Sequence, residues 1–155
     1  MRIAIFGVGG VGGSIGAHMA RSGHETVFIA RGDHLAAIRN QGLTLENAPE
    51  TFTVRPALAT ADVMEVGVVD VAFLCVKAWA LGDAAEGVRA MIGAETVVVT
   101  IQNGVEAADL VAATVGRQRV LAGICETLSE VLRPGVVRQV SRRPTLHLGE
   151  LDGGL

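Results

Sequence analysis

Apolar residues in this chain come in short runs, separated by glycine and by stretches with helical spacing. Arg2–Phe6 is a β-rich run that stops at Gly7, and Val11–Arg21 has helical character and stops at Ser22-Gly23, where glycine favours a helix end. Thr26–Ala30 is a second apolar run, and Asp33–Gln41 reads as a helix ended by Gly42. A strand-helix-strand-helix rhythm of this kind predicts a parallel sheet. Leu43–Leu45 and Thr51–Val54 alternate in the strand manner around Asn47-Ala48-Pro49, which predicts a small hairpin or irregular excursion.

Further along, Asp70–Val76 is a buried strand, Leu81–Ile92 a helix, Thr96–Ile101 a strand, Val105–Val115 a helix ended by Gly116, and Arg119–Thr127 a strand. Pro134-Gly135 marks a turn. Val136–Ser141 and Thr145–Leu148 are then expected to pair as antiparallel strands at the sheet edge. The predicted fold is α/β: a Rossmann-type, doubly wound, mainly parallel sheet with helices on both faces and an antiparallel edge near the C-terminus. Residues 1–150 form the domain in this reading. The turn-like ending, residues 151–155, reads as the start of a linker.

Composition narrows the class. The 155 residues suffice for one domain with a substantial core, and with 50% hydrophobic but only 3% aromatic residues that core is aliphatic, as suits strands covered on both faces. A net charge of −3 offers no broad basic field, which argues against a general nucleic-acid binder. No stretch approaches the ~18 continuous apolar residues of a membrane span. The apolar N-terminus is broken by glycines from Gly7 to Gly16, unlike a secretion signal, so the cytoplasm is the expected location. Cys75 and Cys125 lack metal-type spacing and read as reduced, mostly buried thiols. His18, His24, His34 and His147 show no ligand spacing and are assigned no catalytic role.

The segment Gly7-Val8-Gly9-Gly10-Val11-Gly12 matches G-x-G-x-x-G between a strand and a helix, with a second strand about 20 residues further on, which is the context of a dinucleotide site. Gly7 permits the tight turn, Gly9 lets backbone approach a pyrophosphate, and Gly12 lets the helix pack on the sheet. The helix N-terminus supplies free N–H groups and partial positive charge. At the end of the second strand an NAD site usually carries an acid for the ribose 2′-hydroxyl. Here the residues are Ile29-Ala30-Arg31, and the Arg31 guanidinium matches a 2′-phosphate, so NADP(H) is expected over NAD(H). Asp33 reads as a residue of the helix start. Lys77 and Asn103 follow two later strands and should open into the same crevice. Lys77 is placed to hold a substrate carboxylate or the cofactor ribose, and Asn103 to orient the nicotinamide ribose or a substrate carbonyl.

Several segments together resemble the N-terminal domain of the ketopantoate reductase (2-dehydropantoate 2-reductase) family. They are Arg2–Gly12, Ile29-Ala30-Arg31-Gly32-Asp33-His34-Leu35, Val76-Lys77-Ala78-Trp79, Gln102-Asn103-Gly104-Val105, Arg133-Pro134-Gly135-Val136-Val137 and Leu148-Gly149-Glu150, in the family's order and approximate spacing. The resemblance implies NADPH-dependent reduction of 2-dehydropantoate to pantoate, a step toward pantothenate and coenzyme A. It also implies that Gly7–Gly12 hold the pyrophosphate, Arg31 the 2′-phosphate, and Lys77 and Asn103 the nicotinamide and substrate end. Ser129 falls where the family commonly has an alanine whose backbone touches the cofactor. The family carries a helical C-terminal domain with a proton-donating lysine and a substrate-binding glutamate. No counterpart is present in the 155 residues, so the chain alone is expected to bind NADPH with little turnover. Association through the uncovered surface, as a homodimer or otherwise, is expected too. Two other readings are a non-catalytic NADP-binding or sensing module and a related reductase acting on another keto acid.

Overall fold

The computed structural model describes residues 1–47, 50–141 and 144–153. Ala48 and Pro49 of the expected turn, and the last two residues of the expected linker, lie outside them. The elements are β1 (Arg2–Phe6), α1 (Gly10–Arg21), β2 (Glu25–Ile29), α2 (Gly32–Gln41), β3 (Leu43–Asn47), β4 (Glu50–Val54), β5 (Leu58–Thr60), β6 (Val71–Leu74), α3 (Leu81–Val88), β7 (Val97–Thr100), α4 (Ala107–Val115), β8 (Val120–Glu126), β9 (Ser129–Arg133), β10 (Val136–Gln139) and β11 (Thr145–Glu150).

Strand alternation builds two core layers from one seven-stranded sheet. Ile3 and Ile5 of β1, Phe28, Phe73 and Val99 point to one face, where they meet α1 and α2 residues such as Ile15, Leu35 and Ile38. Ala4, Phe6, Val27, Ile29, Leu74 and Val98 point to the other, against Leu81, Ala84, Val88 and Val111 of α3 and α4. The strand order is β11-β8-β7-β6-β1-β2-β5. All neighbours are parallel except β11, which runs antiparallel to β8 at the edge. Chain direction reverses its progress between β1 and β6, and a ligand crevice opens beyond the strand carboxyl ends at such a switch point. No helix among the described residues is long and apolar enough to cross a membrane.

Three expectations need correction. Val136–Ser141 does not pair with Thr145–Leu148. Instead β10 enters a second, four-stranded sheet in the order β4-β3-β10-β9, parallel to β3 and antiparallel to β9. The reason lies in α1, which is buried on two sides: Gly12 and Gly16 meet the main sheet, while Gly13 meets Val137 and Leu43 of the second. Ser14, fully buried mid-helix, donates to Gln139 Oε1 of β10, and that oxygen also lies 3.1 Å from His18 Nε2. The third helix stops at Val88 and tightens into a 3₁₀ turn over Arg89–Met91 rather than reaching Ile92, a common way for a last turn to close. The fourth starts at Ala107, two residues late. Strands β5 and β9 went unanticipated, being too short or too weakly alternating to stand out.

Candidate cofactor-binding site

The glycine loop joins β1 to α1 with backbone alone. Gly7 takes φ +96°, a left-handed conformation that favours glycine, and its N–H donates to Ile29 O at 3.0 Å. A Cβ on Gly12 would fall 2.1 Å from the Gly7 carbonyl oxygen, so the helix can lie this close to the strand only with glycine there. Gly10 is equally constrained from the other side, since its Cβ would fall 2.3 Å from Ser129 O of β9.

Gly9 differs from its neighbours. Its φ of −84° suits any residue, and a Cβ added there would meet no atom within 4 Å. No neighbour among the described residues asks for glycine at this position, and the space beside it is open. Gly9 is also the N-cap of α1, and the first helical bond is Gly13 N–H to Gly9 O at 2.8 Å. The N–H groups of Gly10, Val11 and Gly12 therefore have no partner within the helix. No side chain caps them, and no acid sits in the first turn to offset their partial positive charge.

Two cavities flank the loop, sharing Gly9 and Val76 in their walls. The first, of about 420 Å³, is lined by Gly7, Val8, Arg31, His34 and Asp83, with the apolar side chains Ile29, Ala30 and Val131. The second, of about 360 Å³, is lined by Gly10, Val11, Lys77, Trp79, Gln102 and Asn103, with Cys75 and Cys125. The structure thus brings Gly7, Val8, Gly9 and Arg31 together on one side, and Gly9, Gly10, Val11, Lys77 and Asn103 on the other. Gly12 serves packing. Ser129 lines neither cavity; its backbone presses on Gly10, and its hydroxyl is buried without a partner.

Charge is distributed in a telling way. Among the described residues, every arginine but one bonds to a carboxylate or a backbone carbonyl, from Arg2 with Glu25 to Arg138 with Glu46 and Glu130. Arg31 has no such partner, and neither has the sole lysine, Lys77. These two cations stand in the two cavities, one on each side of the loop. Burial pushes the Cys75 and Cys125 thiols up, each remaining a neutral wall group; for Cys75 the neighbouring Cys125 adds to the effect. His34, in the first cavity, is held below the ordinary histidine range by burial.

Two residues of the walls escaped the sequence reading. His34 has no ligand spacing in the sequence, yet topology carries it to the loop. Gln102, directly before Asn103, is the other. Its Nε2 donates to Leu74 O at 2.6 Å and Val76 O at 3.0 Å, tying the carboxyl ends of β6 and β7, while its Oε1 is buried without a partner. A polar residue that directly ends an apolar strand run was the available signal.

The residues fit a dinucleotide. The open space at Gly9 and the uncapped N–H groups suit a pyrophosphate, the two cavities suit its two nucleoside ends, and the buried Gln102 oxygen is an acceptor that lacks a donor. Comparison with known proteins agrees. The family model described as ketopantoate reductase PanE/ApbA matches residues 3–153. A 2-dehydropantoate 2-reductase of Mesorhizobium japonicum is 33% identical, the match covering 99% of this chain and 53% of that one. The crystal structure of 2-dehydropantoate 2-reductase from Porphyromonas gingivalis superimposes with a TM-score of 0.92 at 31% identity, over 97% of this chain and 55% of that chain. A ternary structure of D-mandelate dehydrogenase with NADH and anilino(oxo)acetate, 24% identical with a TM-score of 0.88 over 97% of this chain and 49% of its own, shares the fold. The chain spans about half the length of the relatives it matches. By the family model and the glycine loop together, this chain belongs to the ketopantoate reductase family.

Proposed function

We propose that this chain holds NADP(H) for the reduction of a 2-keto acid, with 2-dehydropantoate as the substrate and pantoate as the product. The observation that carries the reading is the pair of partnerless cations on either side of the glycine loop. Arg31 stands at the N-cap of α2, and its exposed guanidinium has no partner among the described residues that would compete with a 2′-phosphate. The loop's N–H groups face the pyrophosphate, and the wall of the second cavity receives the nicotinamide. When bound, the reduced nicotinamide supplies the hydride.

The chain's own residues bind and orient. Lys77 attracts the carboxylate of the keto acid, and Asn103 hydrogen-bonds its carbonyl oxygen or the adjacent ribose. The second cavity's apolar members, Val11, Val76 and Ile101, would keep water from a nicotinamide held there. Both cysteines stay as neutral thiols and take no part as nucleophiles.

Affinity for NADPH and NADH in the native chain and in Arg31→Ala, followed by quenching of the one tryptophan or by calorimetry, tests the cofactor assignment. NADPH should weaken roughly tenfold or more, the scale of a lost charge-assisted hydrogen bond, with NADH unchanged. Equal weakening of the two would remove the 2′-phosphate role from Arg31. For the substrate end, Lys77→Met should lower the enhancement of cofactor binding by a keto acid while leaving the affinity for NADPH alone within about twofold.

A further inference from the structure

One imidazole in the wall of the first cavity is held more firmly than a lining residue needs to be. His34 lies in the first turn of α2, and its Nδ1 accepts a hydrogen bond from the Gly135 backbone N–H at 3.1 Å. That bond fixes the tautomer: Nδ1 is bare, so the proton of the neutral ring sits on Nε2. Nε2 is closed off from solvent, and no acceptor among the described residues completes a hydrogen bond with it. Val8, inside the glycine loop, lines the same cavity as His34, and its backbone favours the protonated ring, as a nearby acceptor does. A buried N–H with no acceptor among the described residues is costly to leave unsatisfied, and a backbone carbonyl of the neighbouring loop would satisfy it.

The Gly135 end is rigid. Gly135 takes φ +76° in the turn between β9 and β10, its carbonyl accepts from Thr44 N–H at 2.9 Å, and a Cβ there would press on Ala37 Cβ at 3.0 Å. His34 therefore stands between a fixed turn of the second sheet and the loop of the first.

We propose that His34 is a positioning residue for the cofactor loop, its neutral Nε2–H tautomer bridging the Gly135 N–H to the Val8 carbonyl and so setting the Val8–Gly9 peptide. In a trans peptide the C=O and N–H point in opposite directions. Turning the Val8 carbonyl toward His34 turns the Gly9 N–H away from it, toward the ligand space beside Gly9. The bridge serves the pyrophosphate, which NADPH and NADH share, so its loss weakens binding of either. The inference rests on the reading of this loop as a dinucleotide site.

The test compares His34→Asn with His34→Gln. The asparagine amide oxygen keeps an acceptor near the Nδ1 position for Gly135 but has no donor that reaches Val8; the glutamine amide extends a donor toward it. In His34→Asn, affinity for NADPH and NADH should fall together by about three- to tenfold, the range of one hydrogen bond, with the melting temperature kept. His34→Gln should recover part of that loss. Unchanged affinity in His34→Asn, or a loss confined to NADPH, would overturn the proposal. Should the asparagine variant fail to fold, the native chain decides: long-range ¹H–¹⁵N spectra should show the Nε2–H tautomer, with that signal shifting on NADPH addition. A ring protonated on Nδ1, or one unmoved by cofactor, overturns the bridge. A native chain that binds neither NADPH nor NADH would mean that the dinucleotide reading itself has failed, while the tautomer measurement still reports on the Gly135 link.

Discussion

Gly9 and Gly12 are the same residue type three positions apart, yet the structure gives them opposite tasks. Gly12 removes a Cβ that would strike the Gly7 carbonyl, whereas Gly9 removes one that would strike nothing in the protein. Gly12→Ala should therefore cost about 1–3 kcal/mol or more in stability, as overpacking does, and lower the melting temperature by several degrees. Gly9→Ala should leave stability within about 0.5 kcal/mol, as for an unobstructed surface change, and abolish tight NADPH binding. Thermal melts and calorimetric titrations of the two variants would show the crossing; a Gly9→Ala chain that still binds NADPH normally would contradict the pyrophosphate assignment. At this scale much was legible. The roles of Gly7 and Gly12 follow from the motif, and both agree with the structure. The need for glycine at position 10 was not legible, because the atom it avoids belongs to Ser129, far along the chain. The place of His34 is not legible for the same kind of reason: Gly135, which bonds to it, and Val8, which shares its cavity, lie outside its helix.

Among the elements, α1 shows most clearly where a linear reading stops. Its strand-side face was foreseeable from the β-α-β rhythm, and the strands of the main sheet other than β5 fall close to their predicted limits. The second sheet was not foreseeable, because β9 has little alternation and β10 was assigned to the wrong neighbour. The glycine at position 13 and the buried Ser14 carried the missing information: a small residue and a polar one on a helix already paired with a sheet imply another layer. Their coupling is measurable. A Cβ at Gly13 would meet Val137 Cγ2 at 2.7 Å, so Gly13→Ala should destabilise the chain, and Val137→Ala should offset part of that loss. A double-mutant cycle in denaturant should give a coupling of about 0.5–3 kcal/mol, whereas strict additivity would show that the contact is slack.

Taken as a whole, the molecule separates a stability problem from a binding problem. Two aliphatic layers on the main sheet supply the core, and the strand carboxyl ends carry exposed side chains such as Trp79, 84% exposed, and Val105, 91% exposed. A ligand seated there touches few core residues but stabilises the fold by mass action. At a hundredfold excess over its dissociation constant, NADPH should add about 2.7 kcal/mol, raising the melting temperature by roughly 5–10 °C for a domain of this size. The same concentration of NADH should give a smaller shift, and Arg31→Ala should bring the two shifts together. His34 adds a dependence on acidity. Burial lowers its affinity for protons in the folded state, so the unfolded chain binds more protons as pH falls through the ordinary histidine range. Its contribution therefore erodes stability on acidification from about pH 6.5 downward, and His34→Asn should flatten that limb of a stability-versus-pH curve.

The glycine loop is pressed from one side by β9 and linked through His34 to the turn that follows it. The opening β-α-β unit is therefore not a portable module. Transplanted into another doubly wound scaffold, residues 1–42 would bring the signature but leave behind the strand that braces Gly10 and the turn that anchors the imidazole. Engineers who wish to move this grip on a dinucleotide, or to alter it by directed evolution, should treat residues 129–139 as part of the loop, although more than a hundred positions of sequence separate the two.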